Sequence, residues 1–140
     1  MTNTVENSEI PRPRRILIID DDVPLSRLFR LRLQDAAGYQ VRVENSGFAG
    51  LKAVPEFEPD LIVLDVVMPG MSGREVAAVL DADPVLRKIP ILFVTAFAPD
   101  GPRDSWDAEL DGHPRFIKPF GIARVVAAID TMTAGHSMDS

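Results

Sequence analysis

The chain contains no cysteine, only two histidines, and fewer basic than acidic side chains, with 15 Lys and Arg against 21 Asp and Glu. The absence of cysteine excludes disulfide scaffolds, thiol nucleophiles and Cys-based zinc or iron–sulfur sites. No unbroken apolar run exceeds five residues, whereas a transmembrane helix needs roughly 20. The net charge of −6 argues against binding of a nucleic-acid backbone by this chain alone. The first residues also lack the apolar segment of a signal peptide, so we expect a cytoplasmic protein.

The length and composition suit one globular domain. An apolar share of 46% and a charged share of 26% are ordinary for such proteins, and 140 residues suffice to bury a sizeable core. The first residues are polar and end in a short basic cluster, which is more typical of a solvated segment than of a nucleic-acid contact. We therefore predict a disordered leader at 1–13, a folded domain at 14–133 and a flexible tail at 134–140.

Short apolar segments alternate along the chain with segments of helical periodicity. Runs of aliphatic and aromatic residues predict four strands, at 16–19, 61–64, 91–94 and 116–117, and the segment 39–43 is typical of a further short strand. Helices are predicted to start after Asp22, Ser46 and Ser72, with a short helix at 103–110 and a final one from Ile122. We expect the first helix to end at Gly38 and the second at about Val54, before Pro55.

This alternation predicts an α/β three-layer sandwich, in which helices cover both faces of a parallel sheet. Ligands of such folds bind outside the carboxyl ends of the strands. Polar residues directly follow four of the five predicted strands, namely Asp20, Asp21 and Asp22, then Asp65, Thr95 and Lys118. The sequence therefore predicts a functional site at this edge of the sheet.

The predicted site combines carboxylates from two strands with a lysine from a third. Asp20, Asp21 and Asp65 would place like charges close together, which raises pKa values or requires a compensating cation. Lys118 supplies one positive charge, and Mg²⁺, which prefers oxygen ligands, is the most plausible further cation. Such a site suits phosphoryl transfer, and a carboxylate such as Asp65 can itself become an acyl phosphate.

Four segments, in this order, resemble the receiver domain of two-component response regulators. They are Ile16–Asp22, Leu64–Gly73, Val94–Ala96 and Ile117–Phe120. The resemblance covers nearly the whole chain and implies a flavodoxin-like (βα)₅ fold, with a five-stranded parallel sheet of order 2-1-3-4-5. It identifies 14–133 as the receiver domain. Because few residues lie outside it, we expect a stand-alone, single-domain receiver.

The resemblance also implies roles for individual residues. Asp65 would accept the phosphoryl group, while Thr95 and Lys118 would contact that group once it is bound. Magnesium would be held by Asp20, Asp21 and Asp65 together with the backbone carbonyl of Val67. For Asp22, capping of the following helix is the favoured interpretation.

The partners implied by the resemblance are proteins. A histidine kinase or a histidine phosphotransfer protein would supply the phosphoryl group in a two-component or phosphorelay pathway, and output would pass to an unknown downstream protein. We expect no direct contact with nucleic acid, no membrane insertion, and a monomer or weak dimer. The protein would be a signalling phosphoacceptor that assists its own phosphorylation and dephosphorylation, not an enzyme.

Two departures from the family pattern affect the surface that usually carries the output. The residue three before Lys118 is usually Tyr or Phe, but here it is Arg115, with Phe116 one place later. In this family the aromatic ring at that position turns inward on activation. We interpret Arg115 as the loss of this aromatic signal, and we expect its side chain to lie across the surface. The segment Pro99–Pro102 interrupts the fourth helix, and Phe97 is a candidate for slowing hydrolysis of the acyl phosphate.

Three other functions stay open. A pseudo-receiver would act only as an interaction module, although all acceptor residues are present. A phosphohydrolase of the haloacid dehalogenase type would require Thr or Val where this chain has Pro24. A flavodoxin-like nucleotide binder would need small residues after the first strand, where three aspartates would repel phosphate without a metal.

Overall fold

The structure, a computed structural model, describes residues 12–96, 109–118 and 121–139, with side chains in the last segment up to residue 134. Six strands form one sheet: β1 Arg15–Ile19, β2 Gln40–Glu44, β3 Leu61–Asp65, β4 Ile91–Thr95, β5 Glu109–Leu110 and β6 His113–Ile117. Their order is β2-β1-β3-β4-β6-β5, and all neighbours are parallel except β5 and β6. The helices are α1 Val23–Ala37, α2 Gly47–Phe57, α3 Gly73–Asp81 and α4 Ile122–Asp139, with a 3₁₀ turn at Leu86–Lys88.

Local side-chain chemistry explains where the first three helices begin. The Asp22 side chain accepts a hydrogen bond from the Leu25 N–H at the start of α1, as predicted. Ser46 caps α2 in the same way, and Ser72 forms a reciprocal capping box with Glu75 at the start of α3. These caps satisfy backbone N–H groups that the first turn of a helix leaves without partners, so each helix starts at a defined residue beside the carboxyl edge of the sheet.

Two hydrophobic cores lie on opposite faces of the sheet. Alternate residues of the strands, such as Ile19 and Phe93, pack with α2 and α3 on one face. The intervening residues, such as Ile18 and Val94, pack with α1 and α4 on the other. Because β1, β3 and β4 are apolar on both faces, the predicted α/β three-layer sandwich is confirmed, and the five parallel strands keep the predicted order.

The sheet differs from the prediction at one edge. We predicted a helix at 103–110, but Glu109 and Leu110 form strand β5, which pairs antiparallel with β6; residues 103–108 lie outside the described part. Asp111 and Gly112 connect the two strands with φ values of 54° and 84°, as in the tight turns that suit hairpins. The predicted five-stranded sheet therefore gains a short sixth strand.

One helix is longer than predicted. Helix α2 continues through Pro55 to Phe57 and ends with Glu58 in the left-handed conformation. A proline in the last turn removes one backbone hydrogen bond, and burial of Ala53 and Val54 holds the helix in place nonetheless. Helix α4 begins at Ile122, as predicted, and runs to Asp139. In the described part of the chain, no helix has the length and apolar character needed to cross a membrane.

Candidate metal and phosphoryl site

The ends of four parallel strands meet at one edge of the sheet and bring the predicted polar residues together. Asp20 follows β1, Asp65 ends β3, Thr95 ends β4 and Lys118 follows β6. Asp20, Asp65 and Thr95 are only 4%, 7% and 1% exposed, so they are held by the surrounding structure. This burial of charged groups requires compensation by neighbouring charges or hydrogen bonds.

Lys118 provides part of that compensation. Its Nζ lies 2.9 Å from Asp20 Oδ2 and 3.6 Å from Asp65 Oδ2. The Lys118 backbone N–H donates to the Thr95 carbonyl oxygen over 2.8 Å, which fixes the base of the side chain against β4. Burial alone would lower the pKa of Lys118, but its ion pairs with Asp20 and Asp65 raise it, so the side chain stays charged.

The carboxylates outnumber this single ammonium group. One oxygen from each of Asp20, Asp21 and Asp65 lies within 4.8 Å of the others. Burial, and then the charge of Asp20, raise the pKa of Asp65 to about 6, although Lys118 opposes the shift. Two of these side chains are buried and Asp21 is exposed, so the cluster opens to solvent on one side.

The donor set of the cluster fits Mg²⁺. Hard divalent cations prefer several carboxylate or carbonyl oxygens, and the cluster offers three carboxylates with an excess of negative charge. Val67, whose carbonyl the resemblance adds to this set, lies directly beyond β3, and its N–H donates to Asp65 Oδ1 over 3.4 Å. The described residues thus gather acidic oxygens where the sequence predicts the metal.

Gly73 is important for this geometry, and our reading of the sequence gave it no role. A Cβ at position 73 would overlap the backbone carbonyl oxygen of Asp65. The Gly73 N–H donates to the Val66 carbonyl oxygen over 2.8 Å, so the start of α3 lies directly against the end of β3. A glycine at the first position of a helix, right after its capping serine, is the sequence signal that could have shown this.

Asn45 and Ser26 are two further residues that sequence reasoning missed. Asn45 Nδ2 donates to the backbone carbonyl oxygen of Asp20 over 2.7 Å and to Ser26 Oγ over 3.2 Å. Asn45 follows β2 at the same edge of the sheet. The rule that singled out residues after the other four strands would have found Asn45 if it had also been applied to β2.

Arg115 differs from what we expected. It is only 9% exposed and does not lie across the surface. In the register of β4 and β6, Arg115 pairs with Phe93 on the α3 face, whereas Phe116 pairs with Val94 in the opposite core. Phe116 therefore does not replace the missing aromatic residue, because a shift by one position turns a strand side chain to the other face. Other residues singled out from the sequence, Phe97 and Pro99–Pro102, lie outside the described part of the chain.

The fold and site together define a class of protein: a doubly wound α/β domain with an acidic, lysine-paired cluster at the carboxyl edge of its sheet. The chain belongs to the response regulator receiver domain family, which matches residues 16–130. It is thus a receiver domain of two-component signalling, a class of domains that are generally not enzymes. Receiver domains interact with histidine kinases and with downstream targets.

Individual relatives support this assignment. The polar-differentiation response regulator DivK of Brucella anthropi is 36% identical over 118 residues, which are 84% of this chain and 94% of DivK. The solved receiver domain of a signal transduction histidine kinase from Syntrophus aciditrophicus has a TM-score of 0.73 at 28% identity, covering 87% of this chain and 91% of that chain. Both alignments cover more than four fifths of this chain.

A third relative contains a metal ion. The receiver domain of sensor histidine kinase PA1611 from Pseudomonas aeruginosa PAO1 was solved with magnesium coordinated in its active site cleft. It has a TM-score of 0.74 at 22% identity and covers 88% of this chain and 99% of that chain, and at this identity the likeness shows the fold alone.

Proposed function

We propose that Asp65 is the phosphoacceptor of this receiver and takes a phosphoryl group from a phosphohistidine on a histidine kinase or a histidine phosphotransfer protein. The observation that carries the proposal is the position of Asp65, which ends β3 with the Lys118 ammonium 3.6 Å from its Oδ2. It is the carboxylate at the end of the strand in the middle of the five parallel strands. A phosphoryl group on Asp65 would meet a positive charge that the fold already holds in place.

The transfer is a displacement at phosphorus. A carboxylate oxygen of Asp65 attacks the phosphorus atom, and the bond from phosphorus to the imidazole nitrogen of the donor breaks. The electron pair of that bond stays on the imidazole nitrogen: a ring that carries a proton on its other nitrogen leaves as neutral imidazole, and a ring without that proton takes one up from solvent as it leaves. Lys118 offsets the negative charge that Asp65 gains, and Thr95, buried at the end of β4, is the candidate hydroxyl contact for a phosphoryl oxygen.

Asp20, Asp21, Asp65 and the carbonyl of Val67 are the groups that would hold Mg²⁺. When bound, the ion neutralises the carboxylates and the incoming phosphoryl oxygens. Asp20 also keeps Lys118 in position through their 2.9 Å ion pair. The proposal extends to signalling, in which the protein acts in the cytoplasm through contacts with a downstream protein. The same site would also assist its own dephosphorylation, in which the phosphoryl group is lost to water.

Labelling with a small phosphodonor tests the proposal. Incubation with acetyl phosphate and Mg²⁺ should add one acid-stable, base-labile phosphoryl group to the wild type, detected by intact mass. Asp65→Asn should abolish this labelling, because an amide is a poor nucleophile, and should leave the circular dichroism spectrum unchanged. Asp22→Asn is the matched control, since it alters a neighbouring carboxylate that caps α1 and should leave labelling at the wild-type level.

The same experiment separates the other candidate functions. A wild type that stays unlabelled with acetyl phosphate would contradict the proposal and favour a pseudo-receiver. Continuous hydrolysis of a phosphate monoester such as p-nitrophenyl phosphate would indicate a phosphohydrolase. Equal labelling of Asp65→Asn and the wild type would show that another residue is the acceptor.

A further inference from the structure

We propose that Asn45 is a positioning residue for the metal site, because it holds the peptide bond between Asp20 and Asp21. This inference rests on the proposed function, in which these two aspartates bind Mg²⁺. Asn45 itself lies outside the acidic cluster and reaches it from the end of β2.

The side-chain amide of Asn45 makes two contacts that fix its orientation. Its Nδ2 lies 2.7 Å from the Asp20 carbonyl oxygen, and a carbonyl oxygen only accepts hydrogen bonds, so the amide nitrogen must face Asp20. The second contact is to Ser26 Oγ at 3.2 Å, and that hydroxyl donates in turn to the Val23 carbonyl oxygen over 3.1 Å. Ser26 is 1% exposed, so this chain of hydrogen bonds is anchored inside α1.

The contact matters because it acts on the peptide that carries Asp21. The Asp20 carbonyl and the Asp21 N–H belong to one planar unit, so holding the carbonyl oxygen sets the direction of both. On the other side, the Asp20 N–H donates to the Glu44 carbonyl oxygen over 3.1 Å. The end of β2 therefore holds the acidic segment at two consecutive peptide bonds.

The three carboxylates differ in how they are fixed. Asp20 is held by Lys118 and by the Asp22 N–H, which donates to Asp20 Oδ1 over 2.9 Å. Asp65 is held by Lys118 and by the Val67 N–H. Across the ranges that the structure describes, no hydrogen bond or ion pair holds the exposed Asp21 carboxylate. The position of Asp21 thus depends on its backbone, and the Asn45 amide stabilises that backbone.

The positioning role of Asn45 is tested by comparing the magnesium affinity of Asn45 variants with that of the wild type. In Asn45→Ala we expect Mg²⁺ to bind about tenfold more weakly, at the lower end of the effect of residues that orient metal ligands. Affinity is followed by NMR titration with MgCl₂, using the backbone amide signal of Asp21. Asn45→Leu keeps the size of the side chain without the N–H donor and should weaken binding equally. Gln40→Ala, at the other end of β2, removes an exposed amide away from the site and should change nothing.

The outcomes distinguish the inference from the function on which it rests. A wild type that shows no magnesium-dependent shifts would contradict the proposed metal site itself. Binding by the wild type with unchanged affinity in Asn45→Ala and Asn45→Leu would overturn the role of Asn45 alone. A lower melting temperature without metal, together with unchanged affinity, would mean that Asn45 is merely structural and would also overturn the inference.

Discussion

At the scale of single residues, the site concentrates more negative charge than the fold neutralises. Asp20 and Asp65 are buried beside one lysine, and Asp21 brings a third carboxylate within 4.8 Å. The raised pKa of Asp65, about 6, shows that the folded chain disfavours its ionised form. An acid whose pKa is higher in the folded than in the unfolded state lowers the folding stability progressively as the pH rises from the unfolded value to the folded value, and the full loss applies above the folded value. Without metal, the site therefore costs stability at neutral pH.

Asp65→Asn tests this cost. The substitution keeps the shape of the side chain and removes one like charge, while Lys118 keeps its ion pair with Asp20. We expect the metal-free variant to melt about 3–5 °C higher than the wild type at pH 7.5, equivalent to about 1 kcal/mol of relief. Differential scanning calorimetry in EDTA measures the change. A lower melting temperature would show instead that the ionised carboxylate contributes a net stabilising interaction with Lys118.

At the scale of elements, the junction between β3 and α3 decides where the acceptor lies. The Gly73 N–H donates to the Val66 carbonyl oxygen, and the Ser72–Glu75 capping box fixes the first turn of α3 immediately afterwards. The start of the helix can approach the end of the strand this closely only because Gly73 lacks a side chain. The position of Asp65 thus depends on a backbone contact as well as on charge.

Gly73→Ala is expected to disturb this junction. The new Cβ would overlap the Asp65 carbonyl oxygen, so the helix must move away from the strand, which we expect to cost about 2–3 kcal/mol of unfolding free energy. Urea denaturation measures this loss. Gly121→Ala is the control, because a Cβ there meets nothing within 4 Å. Equal stability of the two variants would mean that α3 adjusts without strain.

The hairpin of β5 and β6 is a second element that shapes this domain. Arg74 of α3 forms two hydrogen bonds, of 2.8 and 2.9 Å, with the Asp111 carboxylate in the turn. His113 Nε2 lies 2.8 Å from Asp81 Oδ2 at the other end of the same helix. The turn end of the hairpin is therefore joined to both ends of α3. Arg115, in β6, is buried and pairs in register with Phe93, whose side chain lies on the α3 face of the sheet.

At the scale of the whole molecule, the two hydrophobic cores hold the strands rigid so that polar groups from separate segments meet at one edge. Asp20 and Lys118 are 98 positions apart in sequence, yet their side chains form a 2.9 Å ion pair. The site therefore exists only when the domain is folded, and a ligand that binds there stabilises the whole domain.

Magnesium should accordingly raise the melting temperature of the entire protein. At about ten times its dissociation constant, binding to the folded state alone adds roughly 1.4 kcal/mol. For 140 residues this corresponds to about 4–6 °C. Thermal melts across a magnesium series measure the effect, with NaCl at matched ionic strength as the control and Asp21→Asn as a variant that should respond less. The same rise with NaCl would point to general screening of charge.

Much of this architecture could be predicted from the sequence because its signals are local. Apolar runs such as 61–64 and the capping residues Ser46 and Ser72 act within a few positions, and they locate strands and helices correctly. Two predictions of helix bounds were wrong because tertiary contacts outweigh the local signal. Pro55 stays inside α2 because packing outweighs one lost hydrogen bond, and Glu109 and Leu110 form a strand because β6 pairs with them. Competition between local preference and tertiary contact decided these cases.

The alternation of strands and helices along the chain, and the meeting of the polar strand-end residues at one edge, were determined by the sequence alone, since parallel strands bring their carboxyl ends to the same edge. The contacts of Asn45 with Asp20, the close approach of Gly73 to β3 and the burial of Arg115 were decided only by the tertiary structure. Each of these depends on distances between segments far apart in the chain. Such distances are set by how helices and strands pack together, so a local pattern can mark Gly73 or Asn45 as a candidate but cannot give the contact that the residue makes.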